Sequence, residues 1–307
     1  MGVTRFRCAM RDGHWVKIKP SRSLCGTSPE EFGDLLVRLA PLAEADKCAR
    51  EDRAGRQRAP GAGRKPTVFA VRLLVGLTHL RQGTSVRATA GLFGVHERSV
   101  RRWRDELERL LVAHGVVPPG ADEPVRTLRD LADYLRVQPD DSYVIVDGTD
   151  VPRPRPGSWE AQKPAWSGKS KRHAIKATVL ADPDGNAVWF EANPTGEGRT
   201  QEIAALRAGA LLGVLALAGI TVLGDLGYQG LGNWTTGDVY TPVRRPRGRP
   251  HLDRDSRLYN HALAQARIRV EHSIAGLKRW GALRHHRRPP AALDRTGRAI
   301  TVLNSLT

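Results

Sequence analysis

Apolar residues recur at helical spacing near the start of the chain. Ser28, Pro29 and Glu31 are typical of a helix start, with a serine cap, a proline in the first turn and a glutamate three residues after the cap. The apolar positions that follow are Phe32, Leu35, Leu36 and Leu39. We therefore predict a first helix that ends near Pro41 or a few residues beyond.

A second helical region begins near Thr67. A helix that closes at Gly83 is followed by two predicted helices over 85–93 and 97–112. The residues Ala90, Gly94 and Val100 have the spacing of a helix-turn-helix. In that motif a small residue lets the helices approach, a glycine permits the turn, and an aliphatic residue holds the second helix on the first.

The third predicted helix of this region is strongly basic on one side. Trp103 and Leu107 are expected to be buried, whereas its arginines are candidates for contacts with DNA phosphates and guanine edges. These arginines are Arg98, Arg101, Arg102 and Arg104. A plain three-helix bundle with a solvated basic face is the alternative.

The second half of the chain mixes short apolar runs with helical patterns. Strands are predicted over 142–147, 177–181, 187–191 and 220–225, and helices over 125–135, 202–217 and 258–280. A turn at 182–185 joins the second and third strands as a hairpin. This alternation predicts a mixed α/β domain.

The patterns divide the chain into five segments. We predict an N-terminal helical segment (1–45), a basic flexible linker (46–66), an all-α helix-turn-helix domain (67–118), a linker with one helix (119–140) and an α/β domain (141–307). The basic linker is also suited to follow DNA phosphates.

The net charge of the chain indicates what kind of partner it binds. The 307 residues include 49 Lys and Arg against 32 Asp and Glu, which gives a net charge of +17. A polyanion, and nucleic acid before a membrane surface, is therefore the expected partner. Three cysteines without a CxxC pair argue against a disulfide framework or a zinc site and fit a reducing cytoplasm. The uncharged run 208–224 is too short for a membrane span and is interpreted as a helix followed by a strand.

Two predicted strands end in an aspartate, Asp147 and Asp225. Ligands gather at the carboxyl ends of strands in open α/β sheets, so the two carboxylates are candidates for one site, although an aspartate after a strand is often a turn residue. A polar stripe lies beside the apolar face of the helix predicted over 258–280, formed by Asn260, Arg267, Glu271 and Lys278. That stripe is either part of a site or a solvated flank with an Arg267–Glu271 salt bridge.

Four motifs in this order resemble the DDE transposases of bacterial insertion sequences, in particular the insertion-sequence-five group. They are Asp147-Gly148-Thr149, then Ser167-Gly168-Lys169-x-Lys171-Arg172-His173, then Asp225-x-x-Tyr228-Gln229-Gly230, then Arg267-x3-Glu271-x6-Lys278. The resemblance covers about residues 60 to 307.

The resemblance implies a ribonuclease-H-like catalytic domain and an Asp147, Asp225 and Glu271 triad. Three carboxylates would hold two Mg²⁺ ions, or Mn²⁺, for in-line attack on a phosphodiester bond, first by water and then by the freed 3′-OH. Arg267 and Lys278 would neutralise phosphates near the cut. Asp150 is a weaker candidate for a competing metal ligand.

The implied partners are the terminal inverted repeats of the element and the target DNA. Because synapsis brings two ends together, a homodimer on DNA is expected. The expected location is the cytoplasm, in association with the nucleoid. Lys169, Lys171 and Arg172 would line the DNA path, or else cover a strand edge.

The sequence departs from the family in one stretch. Relatives commonly have a His-Asp pair after the third strand, and Gly196–Glu202 has neither residue. Two alternatives to a transposase therefore stay open: a catalytically silent, transposase-derived DNA-binding protein, and a Mg²⁺-dependent nuclease without strand transfer.

Overall fold

The computed structural model describes residues 6–11, 14–53, 67–248 and 250–306. Within these residues the chain divides into two compact units. The first comprises the described residues up to His114 together with Trp280–Ala282 and Leu306, and the second comprises the described residues of Gly115–Arg279 and Leu283–Ser305.

The first unit contains a short hairpin and a group of helices. Its described elements are β1 (Phe6–Arg11), β2 (His14–Ile18), α1 (Arg22–Cys25), α2 (Pro29–Arg53), α3 (Phe69–Gln82), α4 (Val86–Phe93) and α5 (Glu97–His114). Helix α3 lies at the centre, with Leu74 and Leu77 fully buried. Gly76 lets α5 approach closely, because a Cβ at this position would lie 2.8 Å from Leu107 Cδ2.

Helices α4 and α5 have the local structure that the sequence predicts. Ser85 caps α4 by accepting a hydrogen bond from the Ala88 amide at 3.1 Å, and Gly94 ends the helix with a positive φ of 62°. Val100 and Trp103 of α5 are buried, as expected. The glycine is needed at the turn because other residues rarely adopt this backbone conformation.

Helix α2 is longer than predicted. It continues through Pro41 to Arg53, so the first residues of the predicted linker 46–66 are helical. Asp46 stabilises this extension by pairing with Arg50 at 2.9 Å and with Arg109 of α5 at 3.3 Å. Residues 54–66 of the predicted linker lie outside the described residues.

The second unit is a mixed α/β structure. Its strands are β3 (Tyr143–Pro152), β4 (Trp166–Ser167), β5 (Arg172–Ala181), β6 (Ala187–Ala192), β7 (Thr221–Leu223) and β8 (Val239–Tyr240). The helices from residue 115 onward are α6 (Leu128–Arg136), α7 (Trp159–Ala165), α8 (Glu202–Ala208), α9 (Leu211–Ala218), α10 (Arg254–Lys278), α11 (Gly281–Arg284) and α12 (Leu293–Leu306).

The strands form one mixed sheet. β3 is central: it pairs antiparallel with β5 on one side and parallel with β7 on the other. Beyond β5 lie β4 and β6, both antiparallel to it, and beyond β7 lies β8, parallel to it. β5 and β6 form a hairpin, whereas helices α8 and α9 precede β7, which is parallel to β3.

Helix α6 belongs to the core of the second unit. The sequence placed it in a linker (119–140), but Leu131 and Leu135 are buried in one cluster with Val144 and Val146 of β3. A capping box formed by Thr127 and Asp130 fixes the start of this helix. The unit therefore begins at residue 115 instead of 141.

The helix predicted over 202–217 is two helices. The chain is extended at Gly209, and α9 starts anew because the Glu191 carboxylate accepts hydrogen bonds from the amides of Ala210 and Leu211 at 2.9 and 3.0 Å. The uncharged run 208–224 folds as helix α9 followed by strand β7, as interpreted. Across the described ranges, no helix combines the length and apolar character that a membrane crossing requires.

Candidate catalytic site

The sheet register brings Asp147 and Asp225 to the same level. In the parallel pair of β3 and β7, Ile145 lies opposite Leu223, and each aspartate follows two residues later. Asp225 caps a short 3-10 turn, with its Oδ1 accepting from the Gly227 amide at 2.8 Å. Asp147 Oδ1 accepts from the Gly148 amide at 2.9 Å. Asp225 follows the end of β7, whereas Asp147, which was predicted to end its strand, lies in the middle of β3, because pairing with β5 continues that strand to Pro152. The charge of Asp225 acts on Asp147, so the two carboxylates lie within electrostatic reach of each other.

Asp147 lies in a buried and acidic environment. Burial raises its pKa to about 6, and the negative charges of Asp225 and Glu202 contribute in the same direction. Arg267 opposes this effect, with its Nη2 3.6 Å from Asp147 Oδ1 and its side chain only 12% exposed. The charge of Asp147 therefore depends on the balance between burial with neighbouring acids and the Arg267 guanidinium.

Glu202 is a third carboxylate at this place, and the sequence did not point to it. It is the first residue of α8, and its side chain is 11% exposed. A Cβ on Gly148 would lie 2.5 Å from Glu202 Cγ, and a Cβ on Gly227 would collide with Glu202 Oε2. The only sequence signal was its place at the end of the stretch Gly196–Glu202, where relatives commonly carry the His-Asp pair.

Glu271 differs from these carboxylates in being exposed. It lies on α10 next to the fully buried Val270, but its own side chain is exposed. Among the described residues, Arg267 forms its ion pair with Asp147 instead of the Arg267–Glu271 salt bridge that the sequence left open. Asn260, also on the predicted polar stripe, hydrogen-bonds the backbone of Val243 at 2.8 and 3.0 Å.

Asp150 is engaged in a structural ion pair. Lys176 Nζ lies 2.8 Å from Asp150 Oδ1, both side chains are almost fully buried, and the Ser167 hydroxyl donates to Asp150 Oδ2 at 2.5 Å. Although burial raises the pKa of Asp150, the hydrogen bonds from Lys176 and Ser167 bring it below its ordinary value. This pairing argues against Asp150 as a competing metal ligand.

Basic side chains surround the acidic group. Lys169 Nζ is 3.4 Å from Glu202 Oε1 and remains largely exposed, and Arg172 and Lys171 are exposed at the start of β5. Burial lowers the pKa of Lys278, and the charges of Lys169 and Arg172 add to this, whereas Asp150 and Asp147 oppose it. Lys278 therefore lies within electrostatic reach of the same site.

In the described part of the chain, no three His, Cys, Asp or Glu side chains are already arranged to hold a metal ion. Arg267 and Lys169 neutralise the carboxylates in this state.

The arginines of α5, in the first unit, fall into two groups. Arg98, Arg101 and Arg102 are exposed, with Arg101 paired to Glu97 at 2.8 Å. Arg104 is buried and its guanidinium pairs with Asp105 at 2.9 Å. Its predicted contact with DNA is therefore at odds with the structure, because a buried arginine serves the helix packing.

A mixed sheet with flanking helices fits a ribonuclease-H-like DDE domain. The family described as "DDE superfamily endonuclease" matches residues 146–307, which is just over half of the chain. The protein belongs to this family.

A relative from Streptomyces albus G supports the same assignment. It is described as "Putative transposase for insertion sequence element IS112", and it is 27% identical over 264 residues, which cover 84% of this chain and 83% of the relative. The resemblance to DDE transposases of insertion sequences is thereby confirmed.

Proposed function

We propose that the protein is a transposase that binds the ends of an insertion sequence, cuts DNA there and joins the freed ends to target DNA. The observation that carries the proposal is the placement of Asp147 and Asp225 at one level of neighbouring parallel strands, in a buried acidic environment. The family supports endonuclease chemistry.

The donor chemistry of the site fits a hard divalent cation. Asp147 and Asp225 offer carboxylate oxygens, the ligands that Mg²⁺ and Mn²⁺ prefer, and Glu202 adds oxygens close by. We propose Glu271 as a member of the triad on the resemblance alone, with two ions per site. When bound, such ions activate the attacking oxygen and stabilise the leaving oxygen.

The basic residues of the second unit are suited to hold the DNA backbone. Arg267 is partly buried beside Asp147, so release of this carboxylate would free its guanidinium for a phosphate. Lys278 lies within electrostatic reach of the same Asp147 carboxylate. Exposed positive charges along the strand edge are those of Lys169, Lys171 and Arg172. These residues would position the phosphodiester bond, and the carboxylates would hold the cations that act on its oxygens.

The first unit is proposed to bind the terminal inverted repeats through α4 and α5. A cleft of about 620 Å³ is lined by four arginines, together with Ser99 and Asp105. The arginines are Arg50, Arg98, Arg102 and Arg109. Such a concentration of guanidinium groups favours phosphate oxygens and depends on salt. We expect a homodimer on DNA, because synapsis brings two ends together.

Cleavage of a labelled duplex that carries an element end, with Mg²⁺, tests this proposal. We expect metal-dependent cutting by the wild type, loss of at least about 100-fold in Asp225→Asn because one metal-binding charge is removed, and unchanged cutting by the control Asp141→Asn, an exposed aspartate before β3. Equal cutting by Asp225→Asn and the wild type would overturn the proposal.

A further inference from the structure

We propose that the loop between β8 and α10 binds the minor groove of A·T-rich duplex DNA. This arginine loop comprises residues 241–252, between the end of β8 at Tyr240 and the cap of α10 at Asp253. The inference rests on the proposed function, because it names a feature of DNA that the same protein would recognise. It adds to the second unit a contact surface separate from the carboxylates.

The sequence of the arginine loop is basic and unsuited to a helix or a strand. It contains four arginines and no acidic residue, and its centre is Pro246-Arg247-Gly248-Arg249-Pro250. Prolines occupy every fourth position, at 242, 246 and 250, and each lacks the backbone N–H that helices and strand ladders use. A proline also biases the residue before it towards an extended conformation. The composition therefore favours a thin segment that carries guanidinium groups.

The base of the arginine loop is fixed to α10. Asn260 holds the backbone of Val243 twice: its Oδ1 accepts from the amide at 2.8 Å, and its Nδ2 donates to the carbonyl at 3.0 Å. The Tyr259 hydroxyl donates to the Thr241 carbonyl at 3.2 Å. At its other end the loop runs directly into α10, whose N-cap is Asp253. A loop held in this way loses less conformational entropy when it binds a partner.

The tip of the arginine loop is open to solvent. Arg244, Arg245 and Arg247 are all exposed, and Arg245 Nη1 donates to the Pro250 carbonyl at 3.3 Å. Gly248 has a φ of 86°, and a Cβ at this position would meet no atom within 4 Å. Among the described residues, neither Arg244 nor Arg247 forms an ion pair with a carboxylate. Their charges are therefore available to a polyanion.

The dimensions and charge of the minor groove match such a segment. The groove is about 6 Å wide in B-DNA, whereas a helix with its side chains is about 10 Å across. It is narrower still in A-tracts, where its negative potential attracts arginine. Segments rich in arginine enter this groove in several kinds of DNA-binding protein. Gly248 has no side chain, so the backbone beside Arg247 can approach the floor of the groove.

The base pairs themselves provide the contrast that identifies this mode of binding. A G·C pair places the guanine N2 amino group in the minor groove, and an A·T pair does not. An inosine·cytosine (I·C) pair lacks that amino group, so its minor groove resembles A·T and its major groove resembles G·C. Contacts with phosphates alone would not distinguish the three pairs. Preference for A·T and I·C over G·C is therefore the signature of the proposed contact.

Fluorescence anisotropy of the full-length protein with three labelled duplexes tests the inference. The duplexes have equal length and differ only in a central A·T, I·C or G·C tract. We expect the wild type to bind the A·T and I·C duplexes at least about fivefold more tightly than the G·C duplex. In the double variant Arg244→Gln and Arg247→Gln we expect this preference to fall below about twofold, because the guanidinium groups that enter the groove are lost.

A matched control separates groove recognition from loss of charge. The double variant Arg129→Gln and Arg136→Gln removes two exposed arginines of α6 and the same charge, and we expect it to keep the wild-type preference. Thermal melting checks that both double variants are folded. Netropsin, which fills the minor groove of A·T tracts and leaves the major groove open, should weaken binding of the wild type to the A·T duplex more than that of the loop variant.

The outcomes separate this inference from the proposed function. The inference is overturned by a wild type that binds the three duplexes equally, by I·C binding that follows G·C, or by a preference that survives in the loop variant. An equal effect of netropsin on the wild type and the loop variant would also contradict it. None of these results affects metal-dependent cutting of an element end. Conversely, a preference that the loop variant loses, in a protein that cuts no element end, would support the arginine loop and contradict the transposase.

Discussion

At the scale of single residues, the neighbours of each acid decide its charge. Asp147 and Asp150 lie on the same strand, three positions apart, yet burial raises the pKa of Asp147 while Lys176 and Ser167 bring that of Asp150 below its usual value. The carboxyl group of Asp147 therefore keeps its proton to a higher pH than that of Asp150, which stays charged beside Lys176.

The raised pKa of Asp147 predicts a pH-dependent gain in stability for Asp147→Asn. The pKa of Asp147 is 3.8 in the unfolded chain and about 6 in the folded protein, so between these pH values the folded state binds more protons. The wild-type aspartate therefore destabilises the metal-free fold increasingly as the pH rises through this window. We expect Asn to add about 1–3 kcal/mol at pH 7, reduced by loss of the Arg267 ion pair, and less at about pH 4.5. Urea denaturation in EDTA at both pH values measures this, and a gain that does not grow with pH would contradict it.

The residue scale also marks the limit of prediction from sequence. Asp147 and Asp225 were candidates from the sequence because an acid after an apolar run is a local pattern, and the parallel register of β3 and β7 brings them to one level. The pattern did not reveal that β3 continues past Asp147 to Pro152. Glu202 has no such local signal. Its position follows from the space that Gly148 and Gly227 leave in three dimensions. Arg104 was predicted to contact DNA but is buried, because a basic helix face in the sequence does not reveal which of its arginines is buried.

At the scale of elements, most helices and strands of the second unit follow from apolar periodicity, but their ends depend on tertiary contacts. The predicted helix over 202–217 contains a break because Glu191 of β6 caps α9 from a distance in sequence. Helix α2 ends at Arg53, beyond the predicted end near Pro41, and Asp46 in this extension contacts Arg109 of α5. Apolar periodicity along the sequence does not reveal contacts between residues that are far apart in the chain.

The Glu191 cap predicts different effects for two substitutions. Glu191→Ala removes the acceptor for two backbone amides and is expected to destabilise the protein by about 1–2 kcal/mol. Glu191→Gln keeps an acceptor oxygen, and burial already raises the pKa of the wild-type carboxyl, so we expect a change smaller than about 0.5 kcal/mol. Chemical denaturation at pH 7 compares them, and an equal loss in both would show that the charge, not the cap, matters.

At the scale of the whole molecule, the charge of +17 and the arginine-lined cleft of the first unit predict salt-dependent DNA binding. Each phosphate contact releases counterions, so the logarithm of the binding constant falls linearly with the logarithm of salt concentration.

Substitution in this cleft should reduce that salt dependence. For the double variant Arg98→Gln and Arg102→Gln we expect a slope shallower by about 2, because each arginine accounts for roughly one contact. Arg136→Gln, exposed on α6 in the second unit, is the control. Fluorescence anisotropy across a salt series gives the slopes, and an unchanged slope in the double variant would remove this cleft from the DNA interface.

The measurement that tests the central claim most directly is strand transfer. A labelled duplex with a pre-cut element end and a free 3′-OH is incubated with Mg²⁺ and a supercoiled target plasmid, and the junctions are sequenced. We predict joined products with the wild type and none with Asp147→Asn, although both proteins bind the element end. Cutting without joining by the wild type would identify a nuclease without strand transfer, and binding without any reaction would identify a DNA-binding derivative; either result would contradict the account.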